Sequence, residues 1–288
     1  MIAALLVVGA AVAHATWNLA MKRAGTSGAT FLTVALALGV VVFAPVALPV
    51  LLSSPPAVGW QWWLVLGSAV LQVGYFLLLQ RAYRLADVGV VYPLARGTGP
   101  LLSVVAAVLV LGERPGLLAL VGAALVVAGV VVIGLAGVRG AELDRARLGR
   151  GVVYGSAVGV VIASYTLWDA VAVSRVGLDP VGYYWSSMVL QLLMLAPIAL
   201  REAGWRGITG IVREHPAAVG AVGLLSPLAY VAVLVAYTLA PVSIIAPARE
   251  LSVVIVALAA WMLFREPHPV RRLLGAAIVL LGIALLAL

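Results

Sequence analysis

The sequence predicts an all-α integral membrane protein with ten transmembrane helices, arranged as two inverted five-helix repeats. Three observations support this fold class. Of the 288 residues, 65% are hydrophobic and only 10% are charged, whereas soluble domains contain about 45–50% apolar and about 25% charged residues. Ten apolar segments are each long enough to cross a bilayer, and the second five segments repeat features of the first five.

A spanning helix needs roughly 20 mostly apolar residues, and the apolar runs of this chain reach that length without the alternation typical of membrane β-strands. The predicted spans are 2–22, 29–52, 61–84, 88–111, 115–137, 151–173, 180–200, 217–239, 242–264 and 269–288. We interpret the first run as a spanning helix and not as a cleaved signal peptide. Its basic residues, Lys22 and Arg23, follow the apolar run instead of preceding it.

Similar segments recur at an offset of about 153 residues, which indicates an internal repeat. The motif GAALVVAG at 122–129 reappears as GAAIVLLG at 275–282, and Arg96 in the fourth span corresponds to Arg249 in the ninth. Because each repeat has an odd number of helices, the second copy enters the membrane in the opposite orientation. The predicted domains are a first repeat at 1–137, a cytoplasmic connector at 138–150 and a second, inverted repeat at 151–288.

The basic residues are distributed unevenly between the two sides of the membrane. Connectors after odd-numbered helices contain fourteen Lys and Arg residues, and connectors after even-numbered helices contain two. The positive-inside rule therefore places the odd connectors in the cytoplasm and both termini outside, in a multi-pass protein of the plasma (inner) membrane. These connectors also account for the net charge of +8. The sequence has no basic surface with interleaved aromatic residues, so this charge does not indicate nucleic-acid binding.

Arg96 and Arg249 are the two basic residues inside predicted helices, in YPLARGTGP at 92–100 and APARELS at 246–252. A charged side chain at bilayer depth costs at least roughly 2.5–3.5 kcal/mol, so it usually faces a cavity or a partner. Two readings are open: each arginine forms a structural pair with an acid, or each lines a cavity that binds an anionic or zwitterionic solute. The prolines and glycines around Arg96 predict a weakened helix there.

Two polar stripes at corresponding positions in the repeats suggest further lining residues. In the first helix His14, Trp17 and Asn18 share one face, because residues three and four apart are neighbours on a helix. The sixth helix repeats the pattern with Tyr165, Trp168 and Asp169. A packing or interfacial role for the aromatic residues is an equally open reading. Eight further residues could add hydrogen bonds and stacking surface to such a site, with interface-belt or interhelix packing as the alternative for each: Gln72, Tyr75, Tyr92, Tyr183, Tyr184, Gln191, Tyr230 and Tyr237.

Glu250 and Asp169 are the carboxylates well inside predicted helices. Proton coupling is left open, and it would require Glu250, Asp169 or His14 to titrate, since buried acids and imidazoles can be shifted into the working range. A salt bridge from Glu250 to either arginine is the alternative.

Signatures of catalysis are missing from the sequence. The chain has no cysteine, no metal-spaced cluster, no P-loop, no HExxH and no GxSxG. We therefore expect no enzyme activity, no catalytic residue, no metal site and no cofactor.

Two long segments carry a family resemblance: PLLSVVAAVLVLGERPGLLALVGAALVVAGVVV at 100–132 and ELSVVIVALAAWMLFREPHPVRRLLGAAIVLLGIAL at 250–285. Each is similar to the EamA-type pattern of the drug/metabolite transporter superfamily, in which a cavity-lining helix, a short turn with Glu (Glu113 and Glu266) and a Gly-Ala-rich helix follow one another. The resemblance covers essentially the whole chain. It implies a central cavity walled partly by the first, fourth, sixth and ninth helices, and a small-molecule solute as the partner.

The sequence thus predicts a secondary active transporter, in the export direction, that moves a small organic metabolite by alternating access. The two intramembrane arginines favour an anionic or zwitterionic solute such as an amino acid or an organic acid. The segment HATWNLAMK at 14–22 resembles a subgroup with members associated with phosphonate use, and this resemblance adds a phosphonate. Two alternatives are a non-transporting membrane accessory protein and an exporter of hydrophobic drug-like compounds. Either a monomer or a homodimer is compatible with the sequence.

Overall fold

A computed structural model describes residues 1–25, 28–53, 59–135, 145–264 and 269–287. In these residues the chain forms helices joined by short turns, and no strand. The helices are α1 Ile2–Ala24, α2 Ala29–Ser53, α3 Trp62–Leu85, α4 Val88–Val110, α5 Leu117–Leu135, α6 Arg145–Ser174, α7 Pro180–Glu214, α8 Pro216–Leu239, α9 Val242–Ala248, α10 Leu251–Phe264 and α11 Pro269–Leu286. A short 3₁₀ turn at Gly59–Gln61 leads into α3.

Nine spans of the described chain are long and apolar enough to cross a membrane, with α9 and α10 together forming the ninth. The tenth predicted span is the apolar helix α11, which packs along α5. A bilayer offers no hydrogen bonds to the backbone, so helices, which satisfy their own N–H and C=O groups, are the form these segments must take. The prediction of an all-α membrane protein is confirmed.

The helices form two compact units. Unit 1 contains residues Met1–Val73 and Trp168–Thr238, and unit 2 contains residues Gly74–Leu167 and Leu239–Leu288. Each unit therefore takes helices from both sequence repeats, and α3 and α6 each contribute to both units. The predicted repeat boundaries at 137 and 151 remain predictions.

In unit 2 the repeated glycine motifs pack against each other. A β-carbon on Gly122 would lie 2.7 Å from the Gly282 carbonyl oxygen, and one on Gly129 would lie 2.7 Å from that of Gly275. Only glycine allows two helix backbones to approach this closely. The early residue of α5 faces the late residue of α11, so the two helices run antiparallel.

Two further pairs of corresponding helices also run antiparallel. In unit 1 Gly182 of α7 lies beside Leu51 of α2, while Met188 lies beside Gly39. In unit 2 Glu113, just after α4, bonds to the start of α9, and Arg96 within α4 bonds to Ser252 just beyond α9. Antiparallel pairing of counterpart helices is what repeats of opposite orientation require.

Each unit has its own apolar core. In unit 1 a buried cluster is made by Phe31, Val34, Ala35, Ala218, Val219 and Val222. Side chains from α1 and α7, including Trp17 and Ile208, pack against this cluster. In unit 2 the ring of Pro93 occupies the space that a β-carbon on Gly134 would fill, so α4 and α5 are in close contact.

The ninth span is not the continuous helix that the sequence predicts. Pro247 has no N–H to donate within the helix, and the following backbone bonds, from Glu250 to Pro247 and from Ser252 to Arg249, span three residues instead of four. Helix α9 consequently ends at Ala248, and α10 begins at Leu251. Helix α4 is the opposite case. A weakened helix is predicted around Arg96, but α4 is one continuous helix although it contains Pro93 and Pro100.

The polar stretch from Arg201 to Pro216 is largely helical and not a loop. Gly204 has φ 61° and ψ −179°, which interrupts α7, and helix resumes at Trp205 and continues to Glu214. Glycine adopts this backbone conformation without steric cost. The first part of the predicted connector at 138–150, together with Arg265 and Glu266, lies outside the described residues, while Arg145–Arg150 form the first turns of α6.

Substituting Gly129 by alanine should destabilise the α5–α11 pair, because the new β-carbon would press on the Gly275 carbonyl oxygen. Overpacking of this kind costs about 1–3 kcal/mol, so the unfolding temperature in detergent should fall when followed by tryptophan fluorescence. The matched control is Gly74→Ala, since nothing lies within 4 Å of a β-carbon there. Equal stability of the two variants would contradict this packing.

Candidate functional site

Unit 2 contains an ion pair inside the membrane-spanning segments. The Nε atom of Arg96 lies 3.5 Å from Oε2 of Glu250, and the two side chains are only 16% and 4% exposed. Arg96 lies eight residues after the start of α4, or about 12 Å along the helix axis. Arg96 is thus paired with an acid, Glu250, as one of the two readings of the sequence expects.

The pair forms because two irregular features coincide. Arg96 lies within the continuous helix α4, and Glu250 lies in the turn between α9 and α10, where its side chain faces Arg96. The turn lies just after Pro247, which has no N–H for the helix, and its backbone hydrogen bonds span three residues instead of four. Arg249, the repeat counterpart of Arg96, lies in the same turn and is half-buried.

The pair is surrounded by hydroxyl groups. An Nη2 hydrogen of Arg96 points to the Ser252 hydroxyl oxygen at 3.4 Å. The phenols of Tyr75, Tyr92 and Tyr165 lie within electrostatic range of the guanidinium, and the rings of Tyr75 and Tyr165 meet edge to face at 5.6 Å. Tyr92 precedes Arg96 by one helical turn, so both side chains share a face of α4.

Hydrogen bonding within the pair is incomplete. Arg96 Nε and Glu250 Oε2 are both buried, and neither atom makes a hydrogen bond to a described residue. At 3.5 Å the pair has Coulomb attraction, but its N···O distance exceeds the usual range for an N–H···O hydrogen bond. Buried polar groups in folded proteins normally fill such positions, so the described residues leave a hydrogen-bonding position open on each partner.

A carboxylate outside the predicted site holds the start of α9. Both oxygens of Glu113 accept backbone hydrogen bonds, one from Val242 N at 2.8 Å and one from Ser243 N at 2.9 Å. The cap residue of α9, Pro241, has no side chain that could do this. Glu113 thereby caps the short helix that precedes Arg249 and Glu250. The sequence showed a glutamate in this turn of each repeat but not its partner.

Unit 1 contains a second polar cluster, centred on Asp169 of α6. Its side chain is fully buried, and its oxygens accept hydrogen bonds from three side chains of three other helices. Tyr183 donates to Oδ1 at 2.7 Å, Gln72 donates to Oδ2 at 3.2 Å, and Tyr230 also donates to Oδ2. Asp169 is therefore the acceptor at the centre of a network and not a freely exposed ligand.

The network continues into a closed ring of neutral groups. Gln72 Nε2 and the Ser187 hydroxyl both donate to the Ser68 hydroxyl, at 3.0 and 3.2 Å. Gln191 Nε2 donates to the Ser187 hydroxyl at 3.1 Å and to Gln72 Oε1 at 3.4 Å. These residues belong to α3 and α7. Ser68 and Ser187 carried no sequence signal, because single serines are common in apolar helices.

Trp168 has a packing role next to this cluster. Its indole covers Gly67, where a β-carbon would overlap the ring, and its Nε1 donates to the Leu64 carbonyl oxygen at 2.8 Å. This explains a tryptophan at the position without a solute contact.

The stripe on α1 also makes local contacts. The rings of His14 and Trp17 meet at 4.7 Å in an edge-to-face arrangement, and Asn18 Nδ2 donates to the His14 carbonyl oxygen at 2.7 Å. Trp17 packs against the apolar core of unit 1. Its Nε1 is buried without a hydrogen-bond partner among the described residues. Packing therefore accounts for the Trp17 ring, while its N–H remains available.

The twelve predicted site residues thus fall into two groups, one in each unit. Unit 2 contains Tyr92, Arg96, Tyr165, Arg249 and Glu250. Unit 1 contains His14, Trp17, Asn18, Gln72, Trp168, Asp169 and Tyr230. Sequence reasoning missed Glu113 and Ser252, since their partners become visible only when α4 and α9 are placed side by side.

The model of the EamA-like transporter family matches residues 1–135 and 149–288. A solved structure described only as "Crystal structure of protein" is similar with a TM-score of 0.73, covering 98% of this chain and 95% of that chain at 17% identity. At this identity the likeness shows the fold alone. A comparison with curated proteins gave no match.

Removing the Glu113 cap should loosen the α9 segment. Loss of a capping side chain costs about 0.5–2 kcal/mol, so Glu113→Ala should lower the unfolding temperature in detergent, and Glu113→Gln, which keeps one acceptor, should lower it less. Arg114→Ala is the control, because that neighbouring side chain is exposed. An unchanged unfolding temperature for Glu113→Ala would show that the cap contributes nothing.

Proposed function

Because the chain belongs to the EamA-like transporter family and is a multi-pass membrane transporter, we propose that it exports a small zwitterionic solute, such as an amino acid, by alternating access. Arg96 and Glu250 form the binding pair in this proposal. The observation that carries it is the buried ion pair whose Nε and Oε2 atoms have no hydrogen-bond partner among the described residues.

A zwitterion is the solute whose charges complement this pair. Its carboxylate can bind the Arg96 guanidinium, and its ammonium group can bind the Glu250 carboxylate. When the solute binds, the Arg96–Glu250 pair is replaced by two pairs, one between each side chain and the solute. The net charge of the site is unchanged because a zwitterion carries no net charge. A simple anion would instead draw Arg96 away from Glu250 and leave a buried carboxylate unpaired, which is costly.

The geometry also argues against a purely structural pair. A buried ion pair offsets its desolvation only with excellent geometry and additional hydrogen bonds, and here the closest approach is 3.5 Å with unfilled positions on both partners. Ser252 and the three tyrosines add neutral hydroxyl groups next to the guanidinium. Such groups can orient a small polar solute without adding charge.

A second class of solute is favoured by one specific observation. Arg249 lies in the same turn as Glu250 and within electrostatic range of its carboxylate. A positive charge there offsets the carboxylate when Arg96 turns to an anion, so an organic acid or a phosphonate is the second candidate. The distribution of Lys and Arg further supports placement in the plasma (inner) membrane, with both termini on the extracytoplasmic side.

Neutralising the pair separates a binding role from a structural one. Arg96→Met and Glu250→Gln should each weaken solute transport by about 10- to 100-fold, because each removes one charged contact with the solute, worth roughly 1.5–3 kcal/mol, and each 1.4 kcal/mol is tenfold. Transport is measured as uptake of radiolabelled amino acids into everted vesicles, in which export from the cell appears as uptake.

The Arg96→Met/Glu250→Gln double variant decides between the roles. It removes both charges together, so it should fold as stably as the unmodified chain, and under our proposal it still fails to transport. Recovery of normal transport in the double variant would mean that the pair serves only the fold.

A further inference from the structure

We propose that Asp169 is the proton-binding group through which a proton gradient drives this transporter. The inference rests on the proposed transport function and adds its coupling ion. Its basis is the geometry of the hydrogen bonds around Asp169, which lies in unit 1 and makes no use of the ion pair in unit 2.

A coupling carboxylate must be stable both as an anion and as an acid. As an anion, Asp169 has three donors in place: the Tyr183 and Tyr230 hydroxyls and the Gln72 amide. Three hydrogen bonds to a carboxylate stabilise the charged form even where water is excluded. The fully buried side chain can therefore exist ionised in this structure.

One of these donors has a second acceptor within reach: the Tyr183 hydroxyl lies 3.3 Å from the Leu64 carbonyl oxygen. When Oδ1 of Asp169 takes up a proton, the Tyr183 hydroxyl can turn to Leu64, while Oδ2 still accepts from Gln72 and Tyr230. Gln72 keeps its other N–H on the Ser68 hydroxyl oxygen at 3.0 Å. An unsatisfied buried donor would cost about 1–3 kcal/mol, and this arrangement avoids that cost.

The proton on Asp169 also has an acceptor. A tyrosine hydroxyl both donates and accepts, so the Tyr183 oxygen, 2.7 Å from Oδ1, can accept from the protonated carboxyl while its own hydrogen points to Leu64. The ring of Tyr230 is held by Tyr184, with centroids 4.6 Å apart. The titratable side chains that bond to Asp169 are Tyr183 on α7 and Tyr230 on α8, and α3 contributes the neutral Gln72.

The neutral ring of Gln72, Ser68, Ser187 and Gln191 holds the Gln72 amide in position. Its donation to Oδ2 can therefore persist in both protonation states of Asp169. The coupling step is a simple protonation: one proton from the outer side adds to an Asp169 oxygen and leaves to the inner side, while one solute leaves the cell. No electron is transferred.

Asp169→Asn tests the inference because an amide can keep the network but cannot carry a proton. In proteoliposomes containing the full chain, three quantities are measured: solute exchange without a gradient, accumulation driven by a pH gradient, and solute-dependent proton flux reported by a trapped pH-sensitive dye. We expect exchange to stay within about threefold of the unmodified chain, and driven accumulation and proton flux to fall at least tenfold.

Asp179→Asn is the matched control. Asp179 caps α7 through the N–H groups of Val181 and Gly182, and asparagine caps a helix about equally well, so all three quantities should be retained. Driven accumulation and proton flux that persist in Asp169→Asn would overturn the inference. The same conclusion would follow if the unmodified chain exchanged solute but did not respond to a pH gradient.

A second variant covers the case in which Asp169→Asn does not fold. Tyr230→Phe removes one donor and keeps the carboxylate, so it should shift the pH dependence of driven accumulation by about one unit, as loss of a hydrogen bond to a titrating group does. An unshifted profile would overturn the inference. If the unmodified chain showed no solute exchange with any class of metabolite, the proposed function itself would fail.

Discussion

A charged arginine in a membrane-spanning helix must have a partner, and much of unit 2 serves to provide one. Glu250 reaches Arg96 because the ninth span turns at Pro247 and because α4 and α9 run antiparallel side by side. Glu113 fixes the other end of α9 through two backbone hydrogen bonds. Helix α9 is thus capped at its start by the Glu113 carboxylate, and the Glu250 carboxylate lies just after its end.

The internal repeat explains most of the framework, and the site lies where the repeats differ. Counterpart helices pair antiparallel in both units, and the glycines of the repeated motif allow α5 and α11 to touch along their backbones. The fourth and ninth spans share a proline and an arginine, yet only the ninth is interrupted. This difference places Arg249 in the same turn as Glu250, whereas Arg96 lies within a continuous helix and faces Glu250.

Sequence patterns predicted the spans, the repeat and the intramembrane charges, because hydrophobicity, turn residues and internal similarity are local properties. They offered a salt bridge from Glu250 to either Arg96 or Arg249 but did not predict which arginine pairs, because that depends on the rotation of α4 against α9. The proline and glycine content of α4 suggested a weakened helix, but packing of Pro93 against Gly134 accommodates the ring within a continuous one. For Asp169 the burial was expected, whereas its three donors on three helices required the fold.

The most direct test of the account is the charge preference of the site. Ligand binding to the purified protein is measured as stabilisation against thermal unfolding. Each common amino acid is compared with its N-acetyl derivative, which is an anion, and with its amide, which is a cation. If Arg96 and Glu250 each bind one charge of the solute, the zwitterion should bind at least about tenfold more tightly than either derivative, as loss of one charged contact implies. Equal or tighter binding of the N-acetyl or amide form would contradict the account.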